Sequence, residues 1–376
     1  MTPRVLLVAR TRYRLPLDST LQLRFDALSD VLDWRQLGTS ATGERVVDDR
    51  FTLVPRFPLA SLDGASFYAA LPWRVAAEIR SFRPDIVIAQ GAQETTLVLA
   101  ARRLARSRVP VVFDVHGDWH HTTRVYGSPL RRLLNPVSDA MARIALRRAD
   151  AVRTVSDHTT QLVRGYGVEP AGTFPAYMDL APFRETPPAP LPAEPRALFV
   201  GVLERYKAVD VLADAWPRVV ESLPSARLHV VGQGRLESIV RELAADPRLG
   251  VSWTPRVPTR GVAEALDEAT LLVLPSRGEG MGRVVVEAFC RGRAVVGTGA
   301  GGIPDLVRDG DNGLLVPVDD PGALAAALVR ILSDRELAGR LGSAAHASAE
   351  RWAATPEQFA GRFRGLVDAV ISRSGS

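Results

Sequence analysis

The sequence predicts an α/β protein of two domains, each a parallel sheet covered by helices on both faces. Three observations carry this. The chain has 376 residues, about twice the length of one compact domain. Short runs rich in Val, Leu and Ile alternate with longer stretches whose apolar residues recur at helical spacing, the pattern of buried strands joined by crossover helices. The segment Thr186–Pro195 carries five prolines in ten residues, which reads as a stiff extended linker and divides the chain.

The elements follow in order. Strand-length apolar runs in the first half are Val5–Ala9, Asp85–Ala89, Pro110–Val115 and Ala151–Val155. In the second half they are Ala197–Val202, Arg227–Val231, Val251–Trp253, Leu271–Leu274, Ala294–Gly297 and Leu314–Val316. Helical periodicity marks Val209–Ser222, Leu236–Ala245 and Ala323–Ser333, the last opened by Asp320 and Pro321 as N-cap and first-turn residues. The expected organisation is a first domain over 1–184, a linker over 185–196 and a second domain over 197–352. Two Rossmann-like domains facing each other across a cleft follow, with ligands beyond the carboxyl ends of the strands.

Composition narrows the class. A chain that is 46% hydrophobic and 24% charged is neither disordered nor membrane-embedded, and its apolar runs fall far short of the roughly 20 residues of a span. Its start has no signal-peptide pattern. The single cysteine, Cys290, excludes an internal disulfide and a cysteine-built metal site, and fits a cytoplasmic location.

Charge is unevenly placed. Residues 1–192 hold 25 basic against 19 acidic side chains, whereas 193–376 hold 22 against 23, so the basicity belongs to the first half. Residues 124–148 concentrate Arg124, Arg131, Arg132, Arg143, Arg147 and Arg148 among apolar residues. That is either a solvated helix face or a surface for peripheral contact with an anionic membrane at its inner face. Nucleic acid is not an expected partner, because no binding motif or aromatic platform accompanies the arginines. Of the 47 basic residues 46 are Arg; Lys207 is the only lysine. A compact ammonium kept at one position in an arginine-rich chain suggests a phosphate grip.

The most informative stretch is Pro275–Cys290, PSRGEGMGRVVVEAFC. It follows the strand Leu271–Leu274, turns through Gly278, Gly280 and Gly282, and becomes helical from about Arg283. Glycines let the backbone approach a ligand, and the new helix presents N–H groups to an anion such as a diphosphate. Glu279 and Glu287 are placed to look into the same pocket. Beside a phosphate, two carboxylates need partners of their own, and sugar hydroxyls supply them. Two other readings stand beside this one: acids favoured at a helix N-terminus, and a glycosidase pair, against which the phosphate-friendly turn argues.

Glu279 and Glu287, with seven residues between them, resemble the E-x7-E signature of retaining glycosyltransferases of family 4 type with GT-B architecture. Phe199–Leu212, Val230–Leu236, Gly301–Val307 and Asn312–Val316 fit in order, so the resemblance covers the second domain nearly continuously. In the first it rests on Val115-His116-Gly117, Ala149–Ser156, Met178-Asp179 and Phe183.

The resemblance implies a nucleotide-diphosphate sugar as donor and co-substrate, no further cofactor and no metal. It implies that Lys207 neutralises the diphosphate, that Glu279 contacts the transferred sugar, and that Glu287 holds the ribose. The backbone around Gly280, Met281 and Gly282 would bind sugar and phosphate oxygens. His116 would approach the donor sugar, and the last helix, about Glu357–Ile371, would cross back to the first domain. The donor would bind mainly to the second domain and the acceptor, a sugar, a lipid-linked group or a small molecule, to the first. A sugar-nucleotide epimerase, a phosphorylase or a non-catalytic sugar-nucleotide-binding partner would use the same pocket.

Departures from the family pattern are Val202 in place of a diphosphate-binding arginine, with Arg205 or Arg283 as candidate substitutes, Ala208 in place of the glycine after the lysine, and Asp305 in place of a glutamate. After the first strand, Arg10–Asp18 replaces a glycine-rich loop. Asp309-Gly310-Asp311 reads as turn chemistry rather than a metal site, and His120 and His121 as loop or interface residues.

Overall fold

The computed structural model describes residues 2–57, 59, 62–120 and 135–374. It forms two compact units, Met1–Tyr177 with Ala354–Ser376, and Met178–Ala353.

The first unit is an eight-stranded sheet: β1 (Arg4–Tyr13), β2 (Asp33–Ser40), β3 (Val46–Val47), β4 (Phe51–Val54), β5 (Ile86–Gln90), β6 (Val111–Val115), β7 (Ala151–Thr154) and β8 (Gly172–Thr173). Their order is β3-β4-β2-β1-β5-β6-β7-β8, parallel throughout except for β3 against β4. Among the described residues its helices are α1 (Ser19–Val31), α2 (Asp63–Phe82), α3 (Ala92–Leu104), α4 (Asn135–Arg148), α5 (Asp157–Arg164) and the chain-terminal helix Pro356–Ser374. That helix sinks Phe359, Phe363, Leu366, Val367 and Val370 into a core with Val5, Phe25 and Trp34. At about 1.5–3 kcal/mol per buried apolar side chain, it is an integral layer of this unit.

The second unit is an all-parallel sheet of β9 (Arg196–Val200), β10 (Arg227–Val231), β11 (Val251–Thr254), β12 (Leu271–Leu274), β13 (Ala294–Thr298) and β14 (Gly313–Val316), in the order β11-β10-β9-β12-β13-β14. The order reverses between β9 and β12, the doubly wound arrangement in which ligands bind at the reversal. Seven helices cover it: α6 (Val209–Ser222), α7 (Glu237–Ala245), α8 (Thr259–Asp267), α9 (Arg283–Cys290), α10 (Ile303–Leu306), α11 (Pro321–Leu332) and α12 (Arg335–Ala349). Asp320 caps α11, its side chain accepting from Ala323 N at 2.9 Å.

Three features differ from the sequence reading. First, the division falls after Tyr177 rather than at 184, because Met178, Leu180 and Phe183 are buried in the second unit's core. Second, the proline-rich segment is strapped to the second unit rather than left as a free linker. Buried Arg291 donates to the carbonyls of Thr186 (2.7 Å) and Pro187 (3.0 Å), buried Arg293 to Ala189 (2.8 Å), and Arg335 to Leu191 and Pro192 (both 2.7 Å). Prolines supply carbonyls but no N–H, so guanidinium donors satisfy what a strand ladder would otherwise satisfy. Third, β1 does not end at Ala9. It runs to Tyr13 through a register shift between Val8 and Arg12, so Arg10–Tyr13 is strand rather than loop.

The basic stretch 124–148 lies only partly within the described residues. On α4, Arg143, Arg147 and Arg148 are exposed while Ala142, Ala145 and Leu146 are buried; Arg124, Arg131 and Arg132 lie outside the described residues, as does His121. Among the described residues no helix is long and apolar enough to cross a membrane.

Candidate active site

In the second unit the loops after β9 and β12, the strands flanking the reversal, come together. After β9 the chain forms a short 3-10 turn over Arg205–Lys207 and enters α6 through Ala208, whose φ is +52°. That is the left-handed region where a glycine sits without strain, so the departure at Ala208 carries about 1 kcal/mol of backbone strain.

Lys207 is 9% exposed, and its Nζ donates to Glu279 Oε1. The same oxygen accepts from buried Ser276 Oγ at 2.9 Å. The lysine expected to meet a diphosphate and the glutamate expected to meet hydroxyls thus satisfy each other. A charge pair this little exposed is tolerated because each partner offsets the other's desolvation. The Glu279 loop rests against Gly301–Gly302: Gly302 N donates to Glu279 O at 2.9 Å. A Cβ on Gly301, where φ is +58°, would lie 2.2 Å from that oxygen, so glycine is required for the approach.

Glu287, on the second turn of α9, accepts from Arg283 Nε at 2.8 Å. Burial pushes its carboxyl above the ordinary glutamate value, against the opposing charges of Arg283 and Lys207. Of the two candidate substitutes for the arginine missing at Val202, Arg283 is therefore engaged with Glu287. Arg205 is exposed, with its guanidinium in no ion pair among the described residues. Met281 is half-buried against the core, and Gly282 caps α9.

Sequence reasoning missed Ser276 and Arg277, although both lie in the stretch it singled out. Arg277 ties the two loops together: its guanidinium grips Asp210 (2.8 and 3.0 Å) and Asp319 (2.6 Å), and its N–H donates to Tyr206 O at 2.7 Å. Of the turn acids, Asp309 accepts from Leu315 N at 2.9 Å and Asp311 pairs with Arg308 at 2.8 Å.

In the first unit His116 follows β6, and its Nε2 lies 2.9 Å from Asp114 Oδ2. An ionised carboxylate only accepts, so Nε2 carries the proton. Asp114 in turn takes Arg153 Nη1 at 2.6 Å. Arg153 is 1% exposed, donates to Phe174 O at 2.8 Å and lies 4.0 Å above the Phe174 ring. Burial alone would raise Asp114, but Arg153 and His116 outweigh it and hold the carboxyl well below the ordinary aspartate value. Asp114 and Arg153 were also missed; strand alternation puts Asp114 on the same side of β6 as His116, whereas Arg153 is found only through its bond to Asp114. His120 Nδ1 lies 2.8 Å from Asp118 Oδ1.

Comparison with known proteins covers parts of both units. Residues 34–173 match the family model described as Glycosyltransferase Family 4, and residues 194–334 that described as Glycosyl transferases group 1. A D-inositol 3-phosphate glycosyltransferase of Geodermatophilus obscurus is 32% identical over 247 residues, covering 59% of this chain and 54% of that protein. A phosphatidyl-myo-inositol mannosyltransferase of Mycolicibacterium smegmatis is 36% identical over 197 residues, half of each chain. The chain thus spans about half the length of these relatives. Among solved structures, the sucrose-phosphate synthase of Thermosynechococcus elongatus superposes with a TM-score of 0.77 at 20% identity, over 98% of this chain and 100% of that one. The Anabaena HepE protein with UDP and glucose gives 0.67 at 19%, over 99% and 100%. The chain accordingly has the GT-B fold, with a segment that matches the Glycosyltransferase Family 4 model followed by one that matches the Glycosyl transferases group 1 model.

Proposed function

We propose that the protein is a retaining, metal-independent glycosyltransferase that moves a sugar from a nucleotide-diphosphate sugar to an acceptor hydroxyl. The observation that carries this is the grouping of Lys207, Glu279 and Glu287 at the strand-order reversal of the second unit, inside the segment that matches the group 1 model. It is a charge arrangement matched to a ligand with both phosphates and hydroxyls. Donor binding exchanges partners: the Lys207 ammonium turns from Glu279 to the diphosphate, and the freed carboxylate accepts from hydroxyls of the transferred sugar. Glu287 accepts from the ribose.

As the anomeric C–O bond breaks, the leaving diphosphate takes the electron pair. Lys207, an arginine and the N–H groups opening α9 stabilise the charge that develops. The acceptor oxygen forms its bond to the anomeric carbon on the face the diphosphate leaves, and its proton passes to a leaving phosphate oxygen. Configuration is retained without a covalent enzyme intermediate.

The test is thermal unfolding in the presence of nucleotides and nucleotide sugars. A ligand at 100 times its dissociation constant adds about 2.7 kcal/mol of stability. One nucleoside diphosphate and its sugars are expected to raise the transition selectively; no shift with any of them would overturn the reading.

A further inference from the structure

The loop that carries Glu279 is held from the β13 side. Gly302 N donates to the Glu279 carbonyl at 2.9 Å, and Thr298 Oγ1 donates to the Ser276 carbonyl. The 3-10 turn that carries Lys207 is closed by bonds within itself, Lys207 N to Glu204 O at 2.9 Å and Ala208 N to Arg205 O at 3.2 Å. Such bonds shape the turn without fixing where it sits.

Arg277 supplies that fixing. Its N–H reaches Tyr206 O at 2.7 Å, its Nη1 donates to the Arg205 carbonyl, and its guanidinium takes both oxygens of Asp210 at 3.0 and 2.8 Å. Arg205, Tyr206 and Asp210 bracket Lys207 in the chain. The remaining edge of the guanidinium, Nε, donates to Asp319 Oδ1 at 2.6 Å, in the turn between β14 and α11. A planar guanidinium sets direction as well as distance, which a point charge does not.

Stability alone is a poor reason for this arrangement. Side-chain exposure is 18% for Arg277, 35% for Asp210 and 55% for Asp319, so water competes for both carboxylates and the ion pairs add little to folding. Two residues beside the clamp, Ala208 at φ +52° and Asp319 at φ +59°, hold the left-handed conformation without being glycine. Backbone strain of this kind persists where the surroundings impose it, and it clusters at functional sites. What clamp and strain achieve together is a fixed place for the Lys207 ammonium opposite Glu279.

Resting on the glycosyltransferase reading, we propose that Arg277 is a positioning residue for the donor. It touches neither phosphate nor sugar; through Arg205, Tyr206 and Asp210 it holds the Lys207 turn where the ammonium passes from Glu279 to the diphosphate. Loosening the clamp therefore lowers the preference for a nucleoside diphosphate over its monophosphate.

The test is calorimetric titration of the full chain with UDP, GDP and ADP, each beside its own monophosphate. In the pair that binds, the wild-type protein is expected to favour the diphosphate by at least about tenfold. Arg277→Met should reduce that preference by about five- to tenfold and leave monophosphate affinity nearly unchanged. Arg277→Lys keeps the charge but loses the fork, so it should behave like Arg277→Met. Two milder variants keep the inference testable if Arg277→Met does not fold. Asp210→Asn keeps the shape without the charge, and Asp319→Gly removes one anchor where glycine suits the backbone; each should reduce the preference by about threefold. With Lys207→Ala already present, Arg277→Met should change the preference no further. A merely structural arginine would lower the unfolding transition and leave the preference intact. That result, or a further loss of preference with Lys207 already absent, would overturn the proposal. If the wild-type protein favours the diphosphate and loses that preference in Lys207→Ala alone, only the Arg277 inference falls. If it binds none of these nucleotides, or favours no diphosphate, the donor reading falls and this inference with it.

Discussion

Lys207→Ala is expected to weaken nucleoside-diphosphate binding by about 10–100-fold, because a hydrogen bond to a charged group contributes about 1.5–3 kcal/mol. It should lower kcat/KM further, by about 10²–10³-fold, because negative charge on the diphosphate grows as the anomeric bond breaks and the ammonium is worth most then. The free protein changes as well. Glu279, with 10% side-chain exposure, is left with Ser276 as its remaining side-chain hydrogen-bond partner, and an uncompensated buried charge destabilises by up to about 3–5 kcal/mol. Lys207→Ala with Glu279→Ala should therefore destabilise less than the sum of the two single variants. Calorimetric titration with the nucleotide, alongside unfolding of the single and double variants, separates the two effects. Unchanged nucleotide affinity in Lys207→Ala would show that the lysine serves only its glutamate.

Arg153→Met is expected to lower the unfolding transition of the first unit by about 10 °C. It leaves Asp114 buried with His116 alone, at about 3–5 kcal/mol, and a unit of this size loses about 2–4 °C per kcal/mol. The pH dependence has a definite sign. In the wild-type protein Asp114 lies below its unfolded value, about 3.9. Its contribution is present above that pH and is lost as pH falls through the folded value. Without Arg153 the dominant influence is burial, which raises the carboxyl, so protonation relieves the variant rather than harming it. The stability gap should be widest near neutral pH and narrow below about pH 4. Thermal unfolding of both proteins between pH 3 and 8 (roughly the interval that brackets the ordinary carboxylate range) checks this, and a gap that widens in acid would refute it.

The regular part of the second unit was legible in the sequence. Arg227–Val231, Leu271–Leu274 and Val209–Ser222 form as expected, because they are buried on both faces or amphipathic and nothing local competes. The first unit was less so. β2, with the sequence DWRQLGTS, carries Gln36, Thr39 and Ser40 in buried positions and reads as polar. Its side chains are satisfied by the backbone, Gln36 Nε2 donating to Leu37 O at 2.9 Å and Thr39 Oγ1 to Thr11 O at 3.0 Å, an arrangement that periodicity does not encode.

The candidate site shows the same division. Lys207, Glu279 and Glu287 stand out by residue type and spacing. Ser276, Arg277 and Arg153 are identified only by their partners, which lie 67 residues away in the chain for Arg277 and Asp210 and 39 for Arg153 and Asp114. Buried arginine is the recurring blind spot. Arg291 and Arg293 look like surface charge in the sequence, yet at 2% exposure they hold the proline-rich segment against the second unit.

The most direct test of the proposed chemistry is the anomeric configuration of the product. The nucleotide sugar that best stabilises the protein would be incubated with acceptor polyols, and the transferred sugar's anomeric proton followed by NMR from the first turnovers. The same configuration as in the donor is expected, with transfer abolished and nucleotide binding kept in Glu279→Ala. An inverted product would contradict same-face departure and attack, and undiminished transfer by Glu279→Ala would remove this carboxylate from the site.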